Sequence, residues 1–103
     1  MSTPGSIVHV VLTQWRPETP ADALAQMRDI VGRFQAEVPG VLSVTEGPSV
    51  SVEGLESGYE WALVVTFRDA AVRDGYLDHP THRPVAAIIG EWAERLVVFD
   101  VAA

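Results

Sequence analysis

The order of apolar and polar residues along the chain predicts four β-strands separated by helices. Runs of β-branched and aromatic residues, with apolar side chains at every second position, are typical of strands. The predicted strands are Ile7–Thr13, Val41–Glu46, Tyr59–Phe67 and Leu96–Val101. In the first and last of these, both alternating sets of side chains are mostly apolar, which indicates that both faces of these strands are covered.

Apolar residues at spacings of three and four predict a helix after the first strand. They are Leu24, Met27, Val31, Phe34 and Val38. Thr19 is the expected N-cap with Pro20 at the first helical position, and Pro39-Gly40 ends the helix. Gly32 is a weak point inside the stripe, but we expect the helix to continue through it.

A second helical region is predicted to bend at a corner, Asp74–Val85, which carries two of the three histidines. Asp69 is the expected cap of a short helix that reaches about Leu77. Pro80 disfavours helical backbone at the preceding residue, His79, so this helix cannot run through the corner.

A third helix is predicted from about His82 to Glu94. Thr81 is its expected N-cap, and Pro84 lies in its first turn, where a missing N–H costs little. Its apolar face carries Val85, Ile88, Ile89 and Trp92.

The resulting order β-α-β-β-α-β is typical of an α+β, ferredoxin-like fold, in which a four-stranded antiparallel sheet has its helices on one face. Because the first and last strands are apolar on both sides, the uncovered face needs a partner. A second copy of the chain, sheet against sheet, meets that need and predicts a homodimer. We expect Val98 of the last strand to lie in that interface.

A segment of about a dozen residues, Gly47–Gly58, is rich in Gly and Ser and is predicted to be a loop. Loops of this length in a compact domain are often functional. We expect it either to roof a cavity or to reach the partner subunit.

Composition excludes several classes of function. The 103 residues predict one domain, 1–103, with a core from about 7 to 101, and the charge of −7 argues against nucleic acid and anionic membrane surfaces. The absence of Cys and Lys excludes thiolate chemistry and Schiff-base catalysis by a lysine. No secretory or membrane-spanning segment is recognisable, so we expect a soluble cytoplasmic protein.

Several motifs in this order resemble the stress-responsive α/β-barrel (Dabb) family. They are I-V-H-V-V-L near the start, V-P-G-V, G-Y-E-W-A-L-V-V-T-F, Y-L-D-H-P-T-H and L-V-V-F-D near the end. Together they cover the chain from about Ile7 to Val101. The resemblance implies a ferredoxin-like chain whose two copies close into a dimeric α+β barrel.

The family includes olivetolic acid cyclase, a polyketide cyclase that works without a cofactor. The resemblance implies catalytic roles for His9, Tyr76 and His82, with His82 as general base and Tyr76 as hydrogen-bond donor to an enolate oxygen. A further histidine of that enzyme is replaced here by Trp61. Asp74 or Asp78 could orient an imidazole, but we expect each to face solvent near a helix end.

These residues are expected to share a pocket for a flat, mostly apolar carbonyl or aromatic ligand. Its expected substrate-binding walls are Leu24, Met27, Val31, Trp61, Val85, Ile89 and Trp92. Two classes of function stay open: a cofactor-free enzyme, cyclase-like or a monooxygenase, and a non-catalytic binding or stress-response dimer. No metal site is expected, because the His79–His82 spacing has no supporting carboxylate pattern. The resemblance implies that no cofactor is needed.

Overall fold

The computed structural model describes residues 5–103, which form four strands and four helices. Their bounds, in chain order, are β1 Ile7–Trp15, α1 Ala21–Val31, α2 Phe34–Glu37, β2 Val41–Pro48, β3 Trp61–Phe67, α3 Ala70–Tyr76, α4 Arg83–Trp92 and β4 Ala93–Ala102. All four predicted strands are present. β1, β2 and β4 are longer than expected, and β3 is shorter, since it begins at Trp61 and not at Tyr59.

The strands form one antiparallel sheet in the order β2-β3-β1-β4. The central strand β1 pairs with β3 on one side and with β4 on the other. This element order and sheet order confirm the predicted α+β, ferredoxin-like fold. Residue His9 lies opposite Val65 of β3 and Asp100 of β4, which fixes the register around the first histidine.

The core lies between the helices and one face of the sheet. In β3, every second residue from Trp61 to Phe67 is buried, as the alternation predicts. The helices contribute Met27, Val31, Phe34, Tyr76, Val85 and Ile89 to the same core. His9, Val11 and Thr13 of β1 face this layer and are buried among them.

The first helical region departs from the prediction at both ends. The helix is interrupted at Gly32 and Arg33, so that Phe34–Glu37 forms a separate turn of helix. Gly is a poor helix former, and Phe34 is still fully buried after the interruption. Thr19 does not cap the helix: its hydroxyl donates to the Arg16 carbonyl, and Pro20 is the capping residue.

The corner between α3 and α4 is built as predicted in outline but not in its cap. The Asp69 carboxylate accepts a hydrogen bond from the Val72 N–H at 2.9 Å, which confirms it as the cap of α3. The N-cap of α4 is His82, not Thr81. The Thr81 hydroxyl instead donates to Glu37 Oε1 at 2.9 Å and ties the corner to α2.

The other face of the sheet is not covered by any helix of the described chain. It presents the alternate residues of β1, β3 and β4, among them Val10, Val64 and Phe99, which lie side by side in the register. Phe99 is 62% exposed. The expectation for Val98 is wrong, because Val98 pairs with Val11 and therefore faces the helices.

The loop between β2 and β3 lies beside this uncovered face. Leu55 lines a depression there together with Leu12 and Ala62. Arg95 holds the base of the loop by donating to the Ser57 carbonyl and by stacking 4.3 Å from the centre of the Tyr59 ring. Within residues 5–103, no helix is long and apolar enough to cross a membrane.

Candidate functional site

Three polar rings meet where α3 turns into α4. His9 comes from the middle of β1, Tyr76 ends α3, and His82 precedes α4. The ring centres of Tyr76 and His82 are 4.2 Å apart, and those of His9 and Tyr76 are 5.8 Å apart. The structure therefore brings together the three residues to which the family resemblance assigned catalytic roles. Those roles themselves stay predictions.

His9 is held by a carboxylate from β4. Its Nδ1 lies 2.6 Å from Asp100 Oδ1, and Arg73 Nη1 donates to the other oxygen, Asp100 Oδ2, also at 2.6 Å. Burial opposes ionisation of Asp100, but the hydrogen bonds from His9 and Arg73 outweigh it and lower the pKa of this carboxyl. An ionised Asp100 accepts a hydrogen bond from Nδ1, which leaves Nε2 of a neutral His9 as an acceptor.

His82 is fixed in the same tautomer by the backbone. Its Nδ1 lies 3.1 Å from the Leu77 carbonyl oxygen, which can only accept, so Nδ1 carries the proton. Nε2 of the neutral ring is then free to take a proton. Burial lowers the pKa of His82, and the nearby His9 and His79 act in the same direction, so the neutral base is favoured.

Tyr76 is the most deeply buried of the three rings. Its side chain is 1% exposed, and its hydroxyl is one of the buried polar atoms in the described chain without a hydrogen-bond partner. Burial raises the pKa of the phenol far above its ordinary value, so Tyr76 stays a protonated donor. Phe34 and Phe67 pack on its ring at centre distances of 5.4 and 4.8 Å.

A cavity of about 210 Å³ opens beside the two histidines, and we call it the histidine recess. It is lined by His9, Val11, Leu77, His82, Ala86, Ile89, Gly90, Leu96 and Val98. Leu77, Leu96 and Val98 are about half exposed and form its rim. Apart from the two histidines the lining is apolar, so a ligand would meet two imidazoles on an otherwise apolar surface.

The expected apolar walls are mostly elsewhere. Of the seven residues, Ile89 alone lines the histidine recess. Leu24, Met27 and Trp61 line a different cavity of about 310 Å³, together with Trp15 and Pro48. Val31 and Val85 are buried core residues, and Trp92 lies half-buried at the end of α4.

Asp74 and Asp78 are exposed, as expected for residues near a helix end. The option that one of them orients His9 is wrong, because Asp100 holds that ring. Asp74 instead accepts from Arg73 Nε at 2.8 Å. The sequence could have indicated Asp100, because it is the one charged residue in the run L-V-V-F-D-V. Placing β1 beside β4, as the ferredoxin-like order requires, would have set an acid near His9. No pattern in the sequence indicated that Arg73 would contact Asp100.

His79 belongs to the turn, as expected. Its Nδ1 accepts a hydrogen bond from the Thr81 N–H at 3.1 Å, so the ring supports the backbone of the corner. Across residues 5–103, no group of three or more His, Asp and Glu side chains is arranged to hold a metal ion.

Comparison with known proteins identifies the family. Residues 7–103 match the model of the stress responsive A/B barrel domain. The chain belongs to this family. No curated protein sequence matches the chain.

Solved structures of similar fold include proteins of unknown function and a hydroxynitrile lyase. A dimeric ferredoxin-like protein of unknown function from Jannaschia sp. CCS1 is 24% identical, with a TM-score of 0.87, and the match covers 96% of this chain and 100% of that one. A dimeric ferredoxin-like protein of unknown function from Thermobifida fusca is 22% identical, with a TM-score of 0.82, and the match covers 100% of this chain and 95% of that one. A hydroxynitrile lyase from Passiflora edulis is 20% identical, with a TM-score of 0.80, and the match covers 98% of this chain and 95% of that one. At these identities the likeness establishes the fold.

Proposed function

We propose that this family member is a cofactor-free acid–base catalyst that acts on a small carbonyl compound bound in the histidine recess. The observation that carries the proposal is the free Nε2 of His82, a half-buried imidazole whose Nδ1 donates to the Leu77 carbonyl. A base of this kind removes a proton α to a carbonyl or from a hydroxyl group. The lowered pKa of His82 keeps it ready to accept that proton at neutral pH.

The other two rings have complementary roles in this proposal. When the base takes a proton from carbon, the C–H electron pair moves towards the carbonyl oxygen. Tyr76 is the nearest protonated donor, with its ring centre 4.2 Å from that of His82. Its hydroxyl is buried and does not line the recess, so it donates to that oxygen only when the ligand carbonyl enters between the His9 and His82 rings. His9 supplies a second imidazole at the recess, and Asp100 keeps its Nδ1 protonated. Arg73 in turn neutralises Asp100, so these two residues position His9 without touching the ligand.

The recess favours a neutral, single-ring carbonyl compound. Its volume of about 210 Å³ exceeds the roughly 150 Å³ of an engineered apolar cavity that binds benzene. Acetophenone is therefore a suitable probe for proton removal. Mandelonitrile, a cyanohydrin, is a suitable probe for cleavage, since a protein of the same fold is a hydroxynitrile lyase.

We further propose that the chain works as a homodimer with the uncovered sheet faces packed together. The apolar residues Val10, Val64 and Phe99 lie side by side on that face. Two of the similar structures are described as dimeric ferredoxin-like proteins. In this arrangement the loop with Leu55 borders the interface, so the option that it reaches the partner is favoured over the option that it roofs the recess. The cytoplasmic location stays a prediction.

The test of catalysis compares two histidine variants of the same corner. His82→Ala should lower turnover of the active probe by about 10²–10⁴-fold, since a positioned general base contributes that much. His79→Ala is the matched control, because its ring serves the turn and does not line the recess. Deuterium uptake by the methyl group of acetophenone, followed by NMR in D2O, measures proton removal. Release of benzaldehyde measures mandelonitrile cleavage.

Equal rates for wild type and His82→Ala, with both folded by circular dichroism, would contradict the role of His82. Binding of acetophenone by the wild type without any turnover favours the second candidate, a non-catalytic binding dimer. The observation behind that candidate is the recess itself, whose lining is apolar except for its two histidines.

A further inference from the structure

One face of α4 is built from small residues next to the candidate base. His82, Ala86 and Gly90 follow at intervals of four residues, which places them along one side of the helix. All three line the histidine recess, and Leu96 and Val98 of β4 and Val11 of β1 also line it. The open space beside His82 therefore lies along the part of α4 where side chains are smallest.

Neither the backbone nor the packing requires a glycine at position 90. Gly90 lies inside α4 and does not have a positive φ, and a Cβ atom built there meets nothing within 4 Å. Glycine also weakens a helix relative to alanine. Gly40 is the contrasting case, since its φ is +92° and a Cβ atom there would lie 2.5 Å from Val72 Cγ2.

We propose that Ala86 and Gly90 set the size of the ligand that the histidine recess admits. This inference rests on the proposed function and adds a specificity rule to it. The small side chains keep a space open for a ring-sized molecule within reach of His82 and His9. A larger side chain at either position would extend into that space, because both residues line the recess.

The experiment measures acetophenone binding by titration calorimetry and by the NMR shifts of the His82 ring. Gly90→Leu and Ala86→Leu should each weaken binding by about tenfold or more, since the added side chain takes up space that the ligand needs. A tenfold loss corresponds to about 1.4 kcal/mol. Gly75→Leu is the matched control, because Gly75 is an exposed glycine in α3 with equally open space and no contact with the recess.

A second pair of variants separates binding from folding. Gly90→Ala and Gly75→Ala should both raise the melting temperature by about a few degrees, because both replace a helical glycine. Only Gly90→Ala should lower the affinity for acetophenone relative to benzene, which is the smaller probe. If Gly90→Ala is more stable than the wild type and still binds acetophenone less well, unfolding cannot explain its weaker binding. This pair of variants therefore tests the size rule even if Gly90→Leu fails to fold.

The outcomes distinguish this inference from the function on which it rests. If the wild type binds neither acetophenone nor benzene, the ligand recess fails and the size rule falls with it. If the wild type binds acetophenone and the Gly90 and Ala86 variants bind it equally well, the size rule alone is overturned. Weaker binding in the Gly90 and Ala86 variants and unchanged binding in the Gly75 variants support it.

Discussion

The two faces of the sheet use alternate residues of the same strands for different purposes. On the face covered by helices, Val65 and Phe67 are fully buried, and His9 is brought to Asp100 and Tyr76. On the other face, Val10 and Thr66 are partly exposed and Phe99 is mostly exposed. Both faces are largely apolar, but only one of them is covered by other residues of the described chain.

This difference separates what stabilises one copy of the chain from what would join two. Residues of the covered face lose their contact with water when one copy folds, so their contribution to stability is present in the monomer. Residues of the uncovered face contribute in full only when another surface removes them from water. Substituting neighbouring residues of one strand therefore tests the two faces separately.

The largest expected effect is on the covered face. Phe67→Ala should lower the free energy of unfolding by about 3–5 kcal/mol, since Phe67 is fully buried and packs on Tyr76 at a centre distance of 4.8 Å. Thr66→Ala, the adjacent residue on the uncovered face, should change it by well under half of that. Urea unfolding of both variants measures the difference. Equal losses would break the distinction between the faces.

A smaller expected effect concerns assembly. Phe99→Asp should convert the dimer to a monomer at micromolar concentration, because a buried charge without a partner costs several kcal/mol. Val98→Asp carries the same change on the next residue but faces the helices, and it should leave the dimer in place. Sedimentation measures both variants. A wild type that sediments as a monomer would contradict the dimer outright.

The smallest expected effect is a pH dependence of the covered layer. Burial lowers the pKa of His82 below its ordinary value of 6.5, so the folded state binds fewer protons there than the unfolded state. Stability from this group is complete above about pH 6.5 and falls as the pH drops towards the lower, folded value. His82→Asn, which keeps an N–H donor for the Leu77 carbonyl, should flatten this fall.

The control for the pH effect is His79→Asn, which should retain the fall. Denaturant midpoints measured at about pH 7 and about pH 5 give the comparison. The groups around His82 are Tyr76, His9 and His79, and of these Tyr76 stays protonated throughout this range. A steeper fall in His82→Asn than in the wild type would contradict a lowered pKa of His82 in the folded state.

Local patterns in the sequence were sufficient to predict the elements and their faces. Alternation is a local property of a strand, so the buried set of β3 could be deduced from spacing alone. For β1, spacing placed His9 on the same face as Val11 but did not show which face is inward, because both faces are apolar. The Asp69 cap was equally local, since its partner Val72 is three residues away. The two-sided apolar pattern of the first and last strands was also enough to indicate an uncovered face.

Tertiary packing set the details that depend on residues distant in the chain. Asp100 lies 91 positions from the His9 ring that it holds. The Thr81 hydroxyl, which was expected to cap α4, instead donates to Glu37, 44 positions away. The walls of the recess likewise depend on how α4 packs against β4, which brings Ala86 and Val98 to the same cavity as His82. Met27 and Trp61 line a different cavity. Periodicity specifies which side a residue faces, whereas strand register and helix placement specify what it meets there, because these follow from the packing of the whole layer.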